Sequence, residues 1–340
     1  MPGPLDHSRP SDAPFFEDLL VGHVERSAPA VTLSEGMAAV HQAILGDRLP
    51  LALDRKLARD VLGLRSALAH PALVWDVAIG QSTMLTARVI ANLFYRGLVL
   101  QRAPVIGDTL STSTEVVALR QSSQRPGRSA SGLAVLRVRT SDQEGRRVLD
   151  FWRCAMLPLR DPTGNTAHAD SFQDIPVELD AATLREATSS WRLDALASGD
   201  GHGTPLARLP PGARWRVHAG DVVSSAPELA RLTLNVAAVH HDSRSQLDGR
   251  RLVYGGHTIG LAAAQATRTL PEIVTIVGWH SCEHLAPVHE GDTLRSELEL
   301  ELIEDLPGAG ALAHLRSRVS ADGETDPVQV LDWRFVAVVA

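Results

Sequence analysis

The chain says nearly the same thing twice. Residues 103–110 read Ala103-Pro104-Val105-Ile106-Gly107-Asp108-Thr109-Leu110, and residues 286–294 read Ala286-Pro287-Val288-His289-Glu290-Gly291-Asp292-Thr293-Leu294. A second echo follows each copy: Val148-Leu149-Asp150-Phe151-Trp152, then Val330-Leu331-Asp332-Trp333. The paired segments lie 183 residues apart (Ala103 to Ala286) and 182 apart (Val148 to Val330). Two matches in the same order at nearly one spacing indicate an internal duplication. A period that long means two copies of a whole domain, not a solenoid of short repeats. The length of 340 residues agrees, since about 150 residues per domain is usual.

Each copy has the same grammar. Thr32-x-x-Glu35 and Ser225-x-x-Glu228 read as capping boxes that open a first helix. A longer helix follows, at 71–85 in the first copy and 256–270 in the second. Small and apolar residues lie on nearly every face of both, which predicts burial all round. Strand patterns come next, at about 88–101, 109–120, 131–140 and 147–158, then about 273–285, 293–304, 310–320 and 328–339. Alternation is plain from Leu294 to Leu302, with one face apolar and the other mostly acidic. Turns are expected at Gly145, Gly308 and Gly323.

A buried helix followed by an antiparallel sheet, given twice, has an economical solution. Each sheet wraps its own helix, and the two sheets join edge to edge, which removes two exposed edges. The expected class is α+β, a double hotdog. The first copy spans 15–160 and the second 213–340. Residues 161–212, rich in Asp, Gly, Thr and Pro, form a linker with one short helix near 181–187. Residues 1–14 read as a loose tail.

Composition removes several function classes. The net charge of −7 argues against nucleic-acid binding, which needs a basic face. Cys154 and Cys282 lie in no CxxC, so neither a disulfide framework nor a zinc ribbon is expected. No apolar run approaches the ~20 residues of a membrane span. The N-terminus lacks a charged-then-apolar leader pattern, so a soluble cytoplasmic protein is expected. No GxSxG, Walker loop or GxGxxG sits between a strand and a helix, and hydrolase, NTPase and dehydrogenase readings gain no support.

The most informative stretch is Leu234-Asn235-Val236-Ala237-Ala238-Val239-His240-His241-Asp242, followed by Arg251-Leu252-Val253-Tyr254-Gly255-Gly256-His257-Thr258. Here the chain resembles the MaoC-like hydratases. Their motif is an Asp, then Asn two residues on, then His three further on, and a later His-Gly that enters the hot-dog helix. His240 matches the family histidine and Gly255 the glycine. Asn235 stands at the place of the Asp, Ala237 at that of the Asn, and Tyr254 replaces the second histidine. The N-x-A-x-V-H loop with YGGH, together with Ala91-Asn92-Leu93, is closer to one subgroup, the mesaconyl-CoA hydratases or β-methylmalyl-CoA dehydratases. The resemblance implies a double hotdog fold, a CoA-thioester substrate, and reversible addition of water to a 2-enoyl group without a cofactor. It leaves open a homo-oligomer of double-hotdog chains. The corresponding loop of the first copy, 46–54, keeps Asp47 but has Ala52 at the histidine position. A methyl group accepts no proton, so the first copy is expected to be catalytically degenerate.

Hydration of an enoyl thioester needs a base for water, a proton for the α-carbon, and donors for the thioester oxygen as it gains charge. His240 suits the base, because imidazole titrates near neutrality. The Gly255 and Gly256 N–H groups at a helix start suit the oxyanion. Asn235 orients water or binds the carbonyl but transfers no proton. The acid is then His240 itself through one water, or Asp242, Glu283 or His257. Tyr254 and His257 belong to the same candidate binding set. His280, His284 and His289 have metal-like spacing, and 280 and 284 share a face of an ideal strand. No carboxylate-rich shell accompanies them, so no metal is expected, and His280 or Glu283 is expected to line the acyl pocket. A dicarboxylic acyl group would need a cation at its far end, with Arg48, Arg88, Arg250 and Arg251 as candidates. The alternatives are a hotdog thioesterase and a non-catalytic acyl-thioester binder.

Overall fold

The computed structural model describes residues 13–124, 127–196, 205–245, 249–307, 310–323 and 326–340. Most of the expected tail, the GDGHG stretch at 199–203 and the turn at Gly308 lie outside them. Eight long strands carry the architecture. They are β1 (Ala91–Leu100), β2 (Thr109–Gln121), β3 (Ser131–Ser141), β4 (Arg147–Pro158), β5 (Ile273–His284), β6 (Thr293–Asp305), β7 (Ala311–Ala321) and β8 (Val328–Val339). Their spatial order is β2-β3-β4-β1-β5-β8-β7-β6. It reads the same from either end, as a duplication about a pseudo-twofold axis requires. The seam is the antiparallel pair β1–β5, with Tyr95 opposite Cys282 and Leu98 opposite Trp279. Short strands cover the outer edges: Val24–Glu25 and Val31–Thr32 on β2, Arg214–Arg216 and Asp221–Val222 on β6.

Two helices lie in the concave face of this sheet, α1 (Pro71–Gln81) and α2 (Gly255–Thr269). Every residue of α1 is buried, as are 256–267 of α2. One apolar core holds both helices and both half-sheets, with the Trp75 ring of α1 edge-on to Trp279 of β5 at 4.8 Å between centroids. Glycine is required where α1 meets the second half. A Cβ on Gly80 would fall 1.7 Å from the Thr233 carbonyl oxygen.

The repeated sequences have repeated physical reasons. In each Gly-Asp-Thr-Leu the glycine turns with positive φ, 106° at Gly107 and 94° at Gly291. The aspartate then accepts a backbone N–H three residues back, Val105 to Asp108 at 2.9 Å and His289 to Asp292 at 2.8 Å. Each Leu-Asp echo places a carboxylate against an arginine of the preceding strand, Asp150 with Arg137 and Asp332 with Arg316. Each buried helix also sends a glutamine amide to the leucine carbonyl of that motif, Gln81 to Leu110 at 3.0 Å and Gln265 to Leu294 at 2.8 Å.

Two local expectations are corrected. The expected capping boxes do not form. Thr32 is held in a strand by Thr109 at 2.7 Å, and Ser34 caps the helix Glu35–Leu45 through Met37 N–H. Ser225 takes a left-handed backbone with no side-chain cap. The expected helix 71–85 stops at Gln81 and tightens into a 3₁₀ turn, Ser82–Thr86. There the Ser82 and Thr83 hydroxyls donate to the Ile79 and Gly80 carbonyls and compete with the helical pattern. The linker keeps its expected short helix, and its described residues pack as a strap. Its helix Ala181–Thr188 and the residues around it bury Leu179, Leu184 and Leu193 against Val99, Val274 and Val277 on the convex face. No helix among the described residues is long and apolar enough to cross a membrane.

Candidate active site

A cavity of about 370 Å³ opens at the seam between the halves, a size that suits a small-molecule pocket. Its walls come from both halves. The first supplies the C-terminal end of α1, the start of β1, and Arg153 of β4. The second supplies Asn235, His240, the segment 252–255 and the run from His284 to His289.

His240 closes a short 3₁₀ turn, Ala238–His240, and is 8% exposed. Its Nδ1 lies 2.9 Å from the Leu252 carbonyl oxygen. A carbonyl only accepts, so Nδ1 carries the proton and Nε2 keeps its lone pair. Burial pushes the His240 pKa down to about 4, and the charges of His241 and Arg153 act the same way, so the ring is neutral at pH 7. Asn235 Oδ1 accepts the Ala237 N–H at 2.9 Å, which leaves the amide N–H groups for the cavity.

Gly255 begins α2 on the cavity wall. A Cβ there would lie 2.7 Å from His284 Nε2, so close approach of backbone and imidazole requires glycine. His284 is itself a cavity residue. Its Nε2 is buried without a hydrogen-bond partner, and burial and then the His240 charge lower its pKa to about 4. Tyr254 caps α2 and donates its hydroxyl to Asp76 Oδ1 of α1 at 3.1 Å. Burial and that carboxylate hold the phenol well above its ordinary pKa, so it stays protonated. Asp76 Oδ2 lies 3.2 Å from His41 Nε2, which completes a buried chain from the cavity wall into the first half.

Other expected residues lie elsewhere. Gly256 does not line the cavity. A Cβ there would meet Asp76 Oδ1 at 2.1 Å, so its glycine serves the contact between the two helices. His257 is buried away from the cavity, with neither ring nitrogen partnered, and burial and then His41 lower its pKa to about 4. Asp242 sits on an exposed loop, paired with Arg244. His280 and Glu283 do not face the cavity either. In the β5–β8 pairing Arg334 is opposite Ser281 and Phe335 opposite Trp279, so His280 is an inserted residue that flips the side-chain parity. His280 therefore meets His314 at 2.8 Å, while His284 turns inward. Glu283 pairs with Arg96 at 3.3 Å.

None of the four candidate arginines lines the cavity. Arg250 pairs with Asp292 and Arg251 with Glu290. Arg88 donates to the Ala13 carbonyl, and the Arg48 backbone N–H to Thr267. The cavity cation is Arg153, 3% exposed and hydrogen-bonded to Thr86 Oγ1. Its signal was present in the sequence. Phe151, Arg153, Ala155 and Leu157 fall on one face of β4, and an arginine among inward-facing apolar residues is anomalous.

The corresponding region of the first half is filled. A hollow of only about 20 Å³ remains between Ala69, Pro71, Ala103 and the 275–277 segment, and Trp191 of the strap forms part of its wall. Asp47 there contacts His70 Nε2 at 2.5 Å.

The chain is similar to mesaconyl-CoA hydratase of Cereibacter sphaeroides, 30% identical over an alignment covering 96% of this chain and 97% of that protein. It is 28% identical to β-methylmalyl-CoA dehydratase of Chloroflexus aurantiacus, with 96% of each covered. Among solved structures, RV0216 of Mycobacterium tuberculosis, a double-hotdog protein essential for bacterial survival during infection, is 50% identical. It superposes with a TM-score of 0.88, over 96% of this chain and 98% of that one. A MaoC domain protein of Chloroflexus aurantiacus gives a TM-score of 0.80 at 26% identity, covering 96% and 97%. No family model matches the chain.

Proposed function

The chain belongs to the MaoC-like family of double-hotdog hydratases and dehydratases, and we propose that it adds water reversibly to a 2-enoyl-CoA thioester in the seam cavity, with His240 as the proton-transferring group. The observation that carries this reading is the fixed tautomer of His240, which leaves a basic Nε2 in the cavity wall that Gly255 shares at a helix start.

His240 Nε2 takes a proton from water as the hydroxyl adds to C3. Electron density moves through C2 to the thioester oxygen, which the Gly255 N–H stabilises with the help of the helix dipole. The imidazolium then returns its proton to C2, so that water is added across the double bond and the ring is neutral again. Burial suits His240 to this double task, because an imidazolium with a pKa of about 4 gives its proton back readily. Asn235 holds the water through its amide N–H groups. His284 and Tyr254 shape the site. The first half is proposed to be silent, with Ala52 in place of the base and the strap over its hollow.

The names of the curated relatives support a finer substrate, a branched four- or five-carbon dicarboxylic acyl-CoA such as mesaconyl-CoA. A panel of enoyl-CoA thioesters tests the reaction. Loss of the enoyl absorbance with the thioester intact is expected. Release of free thiol would make the protein a thioesterase, and neither signal would make it a binder.

The pH profile of kcat/KM should be flat through neutrality. The base works only when unprotonated, so activity should fall as pH drops towards about 4. An acid limb centred at 6.5, the ordinary histidine value, would count against the buried imidazole as base.

Asn235→Asp keeps the acceptor for Ala237 N–H and replaces the amide donors with a negative charge. On a dicarboxylic enoyl-CoA, kcat/KM should drop by about 10²-fold, since an unpaired buried anion costs about 3 kcal/mol. On a neutral enoyl-CoA the drop should stay within about tenfold. Equal effects on both would sink the role of Asn235 as a donor beside an anionic acyl group.

A further inference from the structure

Arg153 is a buried charge with no ionic partner among the described residues. It sits on the inward face of β4, 3% exposed, in the wall of the seam cavity. Its neighbours are neutral: the Thr86 hydroxyl, and the Tyr95 and Tyr254 phenols. No carboxylate among the described residues pairs with it, and its Nε is buried without a partner. Burial lowers its pKa, yet a guanidinium remains charged at any working pH. Other arginines on these sheets, such as Arg137 with Asp150 and Arg316 with Asp332, have their carboxylates. A buried cation without a counter-ion is unfavourable unless something else supplies the anion.

The shape of the site says what that anion is. The cavity holds about 370 Å³, which admits an acyl group of a few carbons, and Arg153 lies deep in it. A planar fork of N–H donors matches a carboxylate bidentately. Arg153 and His240 line the same cavity, and the Arg153 charge acts to lower the His240 pKa. A carboxylate held at Arg153 is therefore close to the proton-transferring ring, as expected for the far end of a short acyl chain. Asn92, whose Oδ1 is also buried without a partner, lines the same cavity.

We propose that Arg153, contributed by the half that lacks the base, is the specificity residue that binds the free carboxylate of a dicarboxylic enoyl-CoA and sets its double bond against His240. This rests on the hydratase reading above and names the group that selects its substrate. It also assigns the first half a direct part in substrate recognition.

The test compares mesaconyl-CoA with tiglyl-CoA, which has the same carbon skeleton with a methyl in place of the carboxylate. Wild-type protein should prefer mesaconyl-CoA. Arg153→Met should lower kcat/KM on mesaconyl-CoA by about 10²–10³-fold and on tiglyl-CoA by less than about fivefold. Arg153→Lys, which keeps the charge and loses the fork, should fall between. Equal losses on both substrates in a folded variant, or a wild-type preference for tiglyl-CoA, would overturn the assignment while leaving the hydratase reading intact. Binding decides the matter without turnover. Free mesaconate should raise the melting temperature of the wild-type protein and tiglate should not. Arg153→Met should abolish the difference, or Arg153→Lys reduce it if the methionine variant does not fold. If neither thioester is hydrated but mesaconate still binds through Arg153, the hydratase reading fails and the anion site stands. No selective stabilisation by mesaconate would overturn the anion site.

Discussion

His240→Ala is expected to lower kcat by about 10²–10⁴-fold, the range that a general acid–base group supplies. The substitution removes the Nε2 lone pair and the hydrogen bond from Nδ1 to the Leu252 carbonyl. The side chain sits in a cavity wall rather than in the apolar core, so the melting temperature should change little and the loss should appear as turnover. Enoyl absorbance at saturating substrate, read beside a thermal melt, checks both halves of the expectation. Retained turnover would move the base to His284, another buried imidazole in the same wall.

The second large effect is on stability. Asp47→Ala should destabilise the fold by about 1.5–3 kcal/mol, the range for losing a hydrogen bond to a charged group, while kcat stays within a few-fold. Asp47 is 1% exposed, contacts His70 Nε2 and accepts the Leu49 N–H. His70 in turn caps α1 by accepting the Ala72 N–H on Nδ1. Loss of Asp47 therefore reaches a helix cap as well as a pair. Burial raises the Asp47 pKa, but the His70 imidazole and the Leu49 N–H outweigh it, and the net shift is downward. A lowered carboxylate contributes stability that is full above the unfolded pKa of about 3.9 and is lost as pH falls through the folded value. Urea denaturation of both proteins at neutral and at acid pH should show the gap between them narrowing in acid. Loss of turnover in a folded Asp47→Ala protein would assign the chemistry to the other half.

Much of this was legible in the sequence because period-2 alternation between glycine turns is a strong local signal. Seven of the eight long strands begin and end within a residue or two of their expected limits. The capping boxes failed because a cap depends on backbone conformation, and neither the strand pairing of Thr32 nor the left-handed Ser225 is written in a four-residue pattern. Within the site, Asn235 and His240 came from one motif stretch and Tyr254 and Gly255 from the next, and all four meet at the cavity. Gly256 and His257 belong to the second stretch but point elsewhere, because consecutive helical residues face different directions. His284 was obscured by a bulge that no alternation rule anticipates. Arg153 was not among the expected cations Arg48, Arg88, Arg250 and Arg251, because no motif marks it. The parity of β4 would have singled it out.

A cavity walled by both halves also changes what gene duplication left redundant. On the proposed reading, the half without a base needs no titratable group at Ala52, although that residue still packs against the shared core. That half is not free at Thr86, Asn92, Tyr95 or Arg153, which face the surviving chamber. On that reading, tolerance to mutation in this chain should follow the outline of one chamber across the seam, not the boundary between the duplicates.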